Sequence, residues 1–484
     1  MSFASSPNFV RSHQPSPRPP RSRRLRAAIA GLAATLAAGA AGQAQTSSWR
    51  GGTGNWLTPA NWSGGILPTA QNDAFVSLGT AQISGLGAAA SSLSVTGGRT
   101  FNPANGQVTG NASGRVELGA GGGLATNAAR IGIENGPDNP GGTFDVSGGG
   151  RWTNTQRINV GDGAYGQLDI RTGGEVRSAD LWVGLSGVSG GALNLDGGVL
   201  DLTGVLTLGN GLLSGQLTVA GANSLVEATT VRLQAVSVGT VHGGTVRAVD
   251  LSMRDDSAFF LNGGVLEVAT VRSEGGSPAF NLNGGVLRGA GGILFDDFPA
   301  FAVSLGGWGT IETAEDIPAE SNMSGVGGLV KTGPGTLSLS RANTYLRGTS
   351  VRGGTLRLRT GGSIAHETAF EPGVGELVVA DLAGDSATLQ IDAGAAARAH
   401  STFAGRAAGA TGTVRLEGGV LATRQLAEGN GTGAVRWNGG TLRLTADQPA
   451  LFSGFETGDL TLETGGGTID TQGFAVRAAQ VFAG

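Results

Sequence analysis

The chain of 484 residues has no cysteine, a single lysine (Lys331), four histidines and two tyrosines. Without cysteine there is no disulfide framework, no thiolate metal site and no cysteine nucleophile. One lysine and few histidines leave little material for Schiff-base chemistry or a histidine-rich metal centre. These scarcities predict a protein with no metal ion and no cofactor.

Charged residues are also scarce, at 14% of the chain against about 25% in an average domain. Residues 1–44 hold six arginines and no acidic residue, so the rest of the chain carries 26 basic and 36 acidic side chains. A surface with that balance lacks the basic footprint that nucleic acid and anionic lipid require. We therefore expect no nucleic-acid partner.

Residues 1–44 have the composition of an export signal. A basic region ends at Arg26, an apolar run covers 27–41, and small residues at 42–44 suit a cleavage site. The run is too short and too rich in alanine for a transmembrane helix. We expect residues 1–44 to be a signal peptide that sends the protein to the outer membrane, the cell surface or the extracellular space.

Glycine is the abundant residue, with 89 copies, and many of these copies fall in Gly-Gly pairs. The pairs belong to a six-residue pattern of apolar, polar, Gly, Gly, Val or Thr, and Leu or Val. Clear copies begin at Leu195, Val241, Leu261, Leu282, Val351, Leu416 and Trp437. From about residue 90 onward, successive pairs stand 20 to 26 residues apart, or at about two or three times that distance. Such a period indicates a repeat architecture.

The segments between the pairs alternate apolar and polar residues, as in 336–340 and 413–417. This period of two predicts half-buried strands, and helical periodicity is nearly absent after residue 44. The fold class is therefore all-β. The Gly-Gly pairs fit either hairpin turns of an antiparallel barrel or sandwich, or corners of a parallel β-solenoid with one coil per unit.

The equal spacing of the pairs favours the solenoid. A coil of about 21 residues places Asn262 over Asn283 and Leu266 over Leu287, so that like side chains stack. Hairpins give no reason for identical residues at one recurring offset. Glycine suits the corners because it adopts positive φ without a Cβ clash.

Residues 325–358 carry a family resemblance. The segment contains Gly-Gly-Leu-Val-Lys-Thr-Gly-Pro-Gly-Thr-Leu-Ser-Leu, then Asn-Thr-Tyr and, from residue 348, Gly-Thr-Ser-Val-Arg-Gly-Gly-Thr-Leu. This closely resembles the autotransporter-associated β-strand repeat, with Lys331 at the family's lysine position. Residues 346–348 depart from the usual spacing before the glycine. The resemblance implies a right-handed parallel β-helix exported as an autotransporter passenger or a relative of one.

Two other segments also resemble that family. Residues 49–75, with Trp49, Trp56 and Trp62, are similar to the Trp-rich opening of many passengers. Residues 465–474 are similar to the stretch that precedes another copy of the repeat. We therefore divide the chain into the signal peptide 1–44, a Trp-rich N-terminal cap with the first coils at 45–89, and a parallel β-helix at 90–484.

An autotransporter also carries a C-terminal membrane barrel of alternating, aromatic-flanked segments. The 126 residues after the repeat continue the coil pattern instead. We expect a truncated reading frame, a released protein, or an outer-membrane barrel that serves as anchor in cis or in trans.

Trp49, Trp56 and Trp62 are the first candidates for a binding site in the sequence, and the sequence does not identify a ligand for them. They would either form a platform on which a sugar stacks or, as we favour, cap the open end of the β-helix, where edge strands would otherwise be exposed.

Two groups of acidic residues suggest glycoside hydrolysis or calcium binding, but no other feature of the sequence supports either. Asp255-Asp256 and Asp296-Asp297 lie 41 residues apart, about two coils, and paired carboxylates are the groups of glycoside hydrolysis. No companion motif lies near them, and His242 stands alone. Glu312, Glu315 and Asp316 supply oxygens that suit calcium, but no calcium-binding repeat occurs. We expect solvated loops in each case and assign no catalytic residue.

For the basic residues, too, we expect a structural role and no binding site. Arg347, Arg352, Arg357 and Arg359 would grip an acidic glycan, but on a negatively charged protein we expect them to balance local charge. The Gly-rich segment around Lys331 lacks the spacing of a phosphate-binding loop.

The sequence favours an exported structural or adhesive β-helix, not an enzyme. Its long faces would make weak, repeated contacts with surface glycans or with proteins of a host or neighbouring cell. The alternatives are a secreted polysaccharide lyase or hydrolase and a bare stalk without a ligand.

Overall fold

The computed structural model describes residues 45–102, 107–133, 141–187, 190–292, 294–295, 302–366 and 374–484. Within these ranges the chain consists of fifty β-strands joined by turns, with two short 3-10 turns at Pro59–Asn61 and Ser63–Gly65. No α-helix occurs in these ranges. The prediction of an all-β fold is confirmed.

The strands are short, as half-buried segments between corner glycines require. The first twenty-six are β1 (Thr46–Ser48), β2 (Thr53–Asn55), β3 (Asp73–Val76), β4 (Gly79–Ile83), β5 (Ala88–Val95), β6 (Gly97–Asn102), β7 (Gln107–Leu118), β8 (Gly123–Ile131), β9 (Gly142–Val146), β10 (Arg151–Asn154), β11 (Arg157–Gly163), β12 (Gly166–Arg171), β13 (Glu175–Ser178), β14 (Asp180–Gly187), β15 (Gly191–Asp196), β16 (Val199–Leu202), β17 (Val205–Leu208), β18 (Gly215–Ala220), β19 (Leu225–Glu227), β20 (Thr230–Leu233), β21 (Val238–Val241), β22 (Thr245–Arg247), β23 (Asp250–Asp255), β24 (Ala258–Leu261), β25 (Val265–Val268) and β26 (Thr270–Gly276).

The remaining strands are β27 (Ala279–Leu282), β28 (Val286–Gly289), β29 (Ala302–Leu305), β30 (Trp308–Thr313), β31 (Ile317–Ala319), β32 (Met323–Ser324), β33 (Gly328–Thr332), β34 (Thr336–Leu339), β35 (Ala342–Asn343), β36 (Gly348–Val351), β37 (Gly353–Leu358), β38 (Ser363–Ala365), β39 (Glu376–Val379), β40 (Ser386–Asp392), β41 (Ala396–Ala399), β42 (Thr402–Ala404), β43 (Thr411–Glu417), β44 (Val420–Thr423), β45 (Leu426–Glu428), β46 (Thr432–Trp437), β47 (Gly440–Leu444), β48 (Phe452–Ser453), β49 (Leu460–Leu462) and β50 (Gly467–Asp470).

Each regular coil contributes one strand to each of three faces, and strands of one face pair in parallel with those of the coils before and after. The first face holds β2, β4, β7, β9, β12, β15, β18, β21, β24, β27, β29 and β32, then β35, β38, β41, β44, β47 and β50. The second face holds β10, β13, β16, β19, β22, β25, β28, β30, β33, β36, β39, β42, β45 and β48. The third face holds β1, β3, β11, β14, β17, β20, β23 and β26, then β31, β34, β37, β40, β43, β46 and β49. β5 and β8 are long enough to span the second and third faces.

The parallel pairing confirms the solenoid and excludes the antiparallel alternative. Among the described strands, only β6 and β7 pair in antiparallel fashion. In β25 and β28, Leu266 lies beside Leu287, as the repeat period predicts. At the preceding corner the Asn283 amide donates to the Asn262 side-chain oxygen at 2.8 Å.

The core lies inside the coils and consists of stacked apolar rows. Phe259 and Phe280 are fully buried, with ring centroids 5.8 Å apart and planes within 2° of each other. Full burial of one such side chain stabilises the fold by about 1.5–3 kcal/mol. Because every coil adds similar rows, the core extends along the solenoid and needs no disulfide.

The Gly-Gly pairs lie at corners, for two physical reasons. Gly264 has φ +63°, a conformation that residues with a Cβ rarely adopt. Gly285 has no positive φ, but a Cβ there would lie 2.6 Å from Leu261 Cγ of the preceding coil. Glycine therefore provides either conformational freedom or close approach of neighbouring coils.

The coil length is less regular than the Gly-Gly spacing indicates. The registers run from 19 residues, between Thr336 and Thr355, to 36 residues, between Ala88 and Leu124. The longest coil contains the antiparallel β6–β7 hairpin. The hairpin projects from a corner, between the third-face part of β5 and the first-face part of β7, so the strands of each face still pair without a break.

Candidate functional site

Trp49, Trp56 and Trp62 form one cluster inside the first coils. Their side chains are 5%, 0% and 0% exposed. Trp62 lies edge-on to both others, with ring centroids 5.1 Å from Trp49 and 4.6 Å from Trp56. The Trp62 indole donates to the Trp56 carbonyl at 2.7 Å, and the two 3-10 turns flank Trp62. Capping of the end of the β-helix stays a prediction, and the alternative, stacking of a sugar on these rings, would require the cluster to open.

The predicted acidic pairs are only partly described. Asp255 lies at an irregularity of β23 with φ +56°, and its carboxylate accepts a hydrogen bond of 3.1 Å from the Ala235 backbone. Arg254 Nε lies 3.2 Å from the same carboxylate. These contacts give Asp255 a role in holding the backbone. Asp296 and Asp297 lie outside the described residues.

Glu312, Glu315 and Asp316, whose oxygens would suit calcium, do not converge on one site. Glu312 pairs with Arg288 at 3.1 Å, and Glu315 is exposed. The Asp316 carboxylate accepts from the Thr336 backbone at 3.0 Å, and hydrogen bonding from Thr336 lowers the pKa of Asp316. In the described part of the chain, no three His, Asp or Glu side chains converge as metal ligands.

The predicted basic cluster divides among different partners. Arg352 pairs with Asp385 at 3.2 Å, and Arg357 pairs with Asp392 at 2.8 Å. Both acids belong to the next coil. Arg347 instead lies over the Trp308 ring, 5.7 Å from its centroid. Arg359 and His242 are exposed.

The second face carries a ladder of charged residues, alternating in sign from Glu227 onward, that the sequence reasoning missed. Successive coils place these residues side by side: Arg177, Asp201, Glu227, Arg247, Glu267, Arg288 and Glu312. Arg247 contacts both Glu227 and Glu267, at 2.5 and 3.2 Å, and Arg288 contacts both Glu267 and Glu312. The ladder is visible in the sequence only when the coil register is known.

A row of carboxylates on the first face was also missed. Glu117, Asp145 and Asp169 lie side by side on β7, β9 and β12. Arg115 and Arg171 both contact Asp145, at 3.3 and 3.1 Å, and Arg171 also reaches Asp169 at 3.1 Å. Burial raises the pKa of Asp145, although both arginines oppose the rise.

The sequence does contain a signal for this row. Each acid is the fourth residue of a Gly-x-apolar-acid segment, starting at Gly114, Gly142 and Gly166. The three glycines share one register. The two arginines hold the carboxylates in ion pairs, so the row as it stands is a neutralised structural array.

The segment around residues 329–358 buries polar side chains that make hydrogen bonds between coils. Lys331 is fully buried, and its ammonium group donates to the carbonyls of Thr332, Gly333 and Gly353 at 2.7, 3.0 and 3.0 Å. Burial lowers the pKa of Lys331 to about 8. One side chain thus satisfies carbonyls of two successive coils.

Asn343 and Tyr345 are also buried in this segment and make hydrogen bonds of their own. The Asn343 oxygen accepts from the Met323 backbone at 3.0 Å, and its amide donates to Ser363 O at 3.0 Å, so Asn343 joins three coils. The Tyr345 hydroxyl and Thr349 Oγ1 are 2.7 Å apart, and Thr349 Oγ1 lies 2.9 Å from His366 Nε2.

The same segment matches a known repeat family. Residues 329–358 match the model of the passenger-associated-transport-repeat. No curated protein and no solved structure matches the chain. No helix in the described ranges has the length and apolar character to span a membrane. The matched repeat and the parallel solenoid in which it lies fit an autotransporter-passenger-like β-helix repeat protein.

Proposed function

We propose that the chain is an exported β-helix that mediates adhesion at the cell surface or in the extracellular space. The observation that supports export is the passenger-associated-transport-repeat at residues 329–358, whose family suggests this destination. The composition of residues 1–44 is consistent with a signal peptide. An outer-membrane barrel, in cis or in trans, would be the anchor.

Support for adhesion comes from the faces of the solenoid. Parallel pairing repeats outward side chains about every 4.8 Å along each face. Such rows suit many weak contacts, whose combined avidity exceeds that of any single contact. Surface glycans and proteins of a host or neighbouring cell are the proposed partners.

A test of export uses the full chain with a C-terminal epitope tag in a bacterial host. We expect antibody to label intact cells or to detect the tag in the medium. A variant with Leu32→Asp and Leu36→Asp in the apolar run should retain the tag inside the cell. Export of the wild-type chain and the variant to the same extent would contradict the signal assignment.

The adhesive part is tested with the same cells. Exporting cells should attach to a glycan-coated surface or to one another more than cells with the retained variant. Export without any gain in attachment would reject adhesion and leave a structural stalk.

Polysaccharide cleavage is the second candidate, and the row of Glu117, Asp145 and Asp169 is the observation that favours it. Carboxylates on adjacent coils have about the separation found in retaining glycosidases. Arg115 and Arg171 already pair with these groups, which leaves no free acid and base. We expect the purified chain to release no reducing sugar or unsaturated product from acidic or neutral polysaccharides. Product release that Asp145→Asn abolishes would establish the enzyme instead.

A further inference from the structure

One outward row of the third face combines planar side chains with unpaired polar atoms. We name it the planar row: Trp182, Thr207, Arg232, Ser252 and Arg272, which lie side by side on β14, β17, β20, β23 and β26. The five positions span four coil steps, about 19 Å along the solenoid. The row is straight because every step is a regular parallel register.

Large and small side chains alternate in the planar row. Trp182, Arg232 and Arg272 are partly exposed, whereas Thr207 and Ser252 between them are only 2% and 0% exposed. The planar groups therefore recur every second coil, about 10 Å apart. Each small residue lies in a gap between two of them.

The polar atoms of the row lack partners to an unusual degree. Thr207 Oγ1, Ser252 Oγ and the Nε atoms of Arg232 and Arg272 are buried without a hydrogen bond. On the preceding coil, Asn159 lies beside Trp182, and its side-chain oxygen is unpaired as well. A buried polar atom without a partner costs about 1–3 kcal/mol, so native proteins rarely gather several in one row.

The arginines of the row are also poorly neutralised. Arg232 has no ion pair in the described part of the chain, and the carboxylates nearest to Arg272 are those of Glu274 and Asp250, at 3.8 and 3.9 Å. By contrast, Arg247 and Arg288 of the charge ladder each contact two glutamates. In both pairs the two arginines lie two coils apart. Arg247 and Arg288 are neutralised by glutamates at close distance, whereas Arg232 and Arg272 are not.

We infer that the planar row binds a linear acidic polysaccharide lying along the solenoid axis. The guanidinium planes of Arg232 and Arg272 would stack on sugar rings and pair with carboxylate or sulfate groups. Arg157 lies over the Trp182 ring, 4.6 Å from its centroid, so a sugar would stack on Trp182 once Arg157 turns away. Hydroxyl groups of the sugars would reach Thr207 and Ser252 once the arginine side chains turn outward. This inference rests on the proposed adhesive function and assigns its ligand class.

The test is titration calorimetry of the purified full chain at physiological ionic strength. The probes are polygalacturonate, which is carboxylated, dextran sulfate, which is sulfated, and uncharged dextran. We expect at least one acidic polymer to bind and dextran not to bind. Fragments shorter than the row should bind more weakly than longer ones, because they engage fewer of its groups.

Two double variants locate the site. Arg232→Ala with Arg272→Ala should weaken binding at least about tenfold, as expected for loss of charge-assisted hydrogen bonds. Arg247→Ala with Arg288→Ala removes the same charge at the same spacing and should change binding less than about threefold. Circular dichroism should show both variants folded. Trp182→Ala should also weaken binding.

The outcomes separate this inference from the function on which it rests. Equal losses in the two double variants would mean unspecific charge attraction and would reject the site. Absence of binding to either acidic polymer would also reject it, and adhesion of cells displaying the chain would then stand on another surface. Binding through the row without adhesion of such cells would reject the adhesive function instead.

Discussion

The Lys331 ammonium group donates a hydrogen bond of 3.0 Å to the carbonyl of Gly353, one coil further along the solenoid. With the carbonyls of Thr332 and Gly333, it completes a set of three acceptors around the only lysine of the chain. A cation in the core is costly, and here the carbonyl dipoles offset that cost. This contact makes the stability of the passenger-associated-transport-repeat depend on pH.

We expect the free energy of unfolding of the wild type to rise between about pH 8 and 10. The pKa of Lys331 is about 8 in the folded chain and 10.5 for an ordinary lysine, so the unfolded chain binds more protons in this window. The rise should be about 2 kcal/mol. Lys331→Met should remove it and, because three carbonyls lose a donor, destabilise the chain by about 2 kcal/mol at pH 7.

The measurement is denaturant unfolding across this pH range, with Arg359→Met, at an exposed position, as the control. Burial raises the pKa of Tyr345 above the ordinary value of 10, so above about pH 10 the unfolded chain loses that proton first and stability falls. This effect is opposite in sign to that of Lys331 and begins at the upper end of the pH range. Parallel pH profiles of the wild type and Lys331→Met would show that Lys331 is not a buried cation.

His366 predicts a second pH dependence, at the acidic end. Its Nδ1 lies 3.0 Å from the Tyr345 carbonyl and therefore carries the proton, while Nε2 accepts from Thr349. Burial lowers the pKa of His366 to about 4, against 6.5 for an ordinary histidine. As the pH falls from 6.5 to 4, the unfolded chain binds the proton first, and stability should fall by about 3 kcal/mol.

The test compares His366→Gln with the wild type by thermal unfolding between pH 7 and 4. The variant keeps a polar side chain without a titratable group, so its stability should fall less steeply over this range. His242→Gln is the matched control, since His242 is exposed. A slope equal to that of the wild type would mean that His366 is accessible to solvent in the folded chain.

The sequence period was sufficient to predict which like residues stack. Asn262 and Asn283 share a pattern at one offset, and their contact follows from it. The row of Glu117 and Asp145 was missed because Glu117 lies on β7, the second strand of the β6–β7 hairpin, and its register to Asp145 is 28 residues, longer than the Gly-Gly period of 20 to 26. A register deduced from the Gly-Gly spacing therefore pairs the wrong residues across such an insertion.

Alternation places Lys331 on the same inward side as Leu329, but only the structure shows why the position tolerates a lysine. Its three acceptors come from corners whose carbonyl directions depend on backbone geometry. Likewise, the arginines of the planar row differ from those of the charge ladder only in their neighbours across coils. The sequence shows which residues are charged, but only the coil register shows whether an oppositely charged residue lies beside each of them.

The charge ladder predicts a salt-dependent effect at Glu267. Glu267→Arg would place like charges beside both Arg247 and Arg288, which lie on the coils before and after. Like charges opposite each other in a sheet destabilise by about 0.2–1 kcal/mol per pair, so we expect a loss of about 1 kcal/mol. Glu267→Gln removes the attraction without repulsion and should cost less.

Thermal midpoints at low and high salt distinguish these effects. High salt should recover most of the loss in Glu267→Arg, because exposed charges are screened, and should change Glu267→Gln little. A loss that salt leaves unchanged would indicate that Glu267 contributes packing more than charge.

The Trp cluster predicts local unfolding at one end of the solenoid. Trp62 is fully buried against Trp49 and Trp56, and Trp62→Ala should destabilise its surroundings by about 3–5 kcal/mol. In a solenoid each coil contacts only its neighbours, so the damage should remain near the first coils. Hydrogen exchange should therefore show lost protection in 46–95 and unchanged protection in 329–358.

Trp437→Ala is the matched control. Trp437 is also buried, and its indole donates to the Gly440 carbonyl at 2.7 Å, but it lies on β46. Its replacement should expose amides of β43, β46 and β49 and leave those of β1 and β3 protected. If either variant lost protection along the whole chain, the coils would unfold as one cooperative unit and the cluster would not be a local cap.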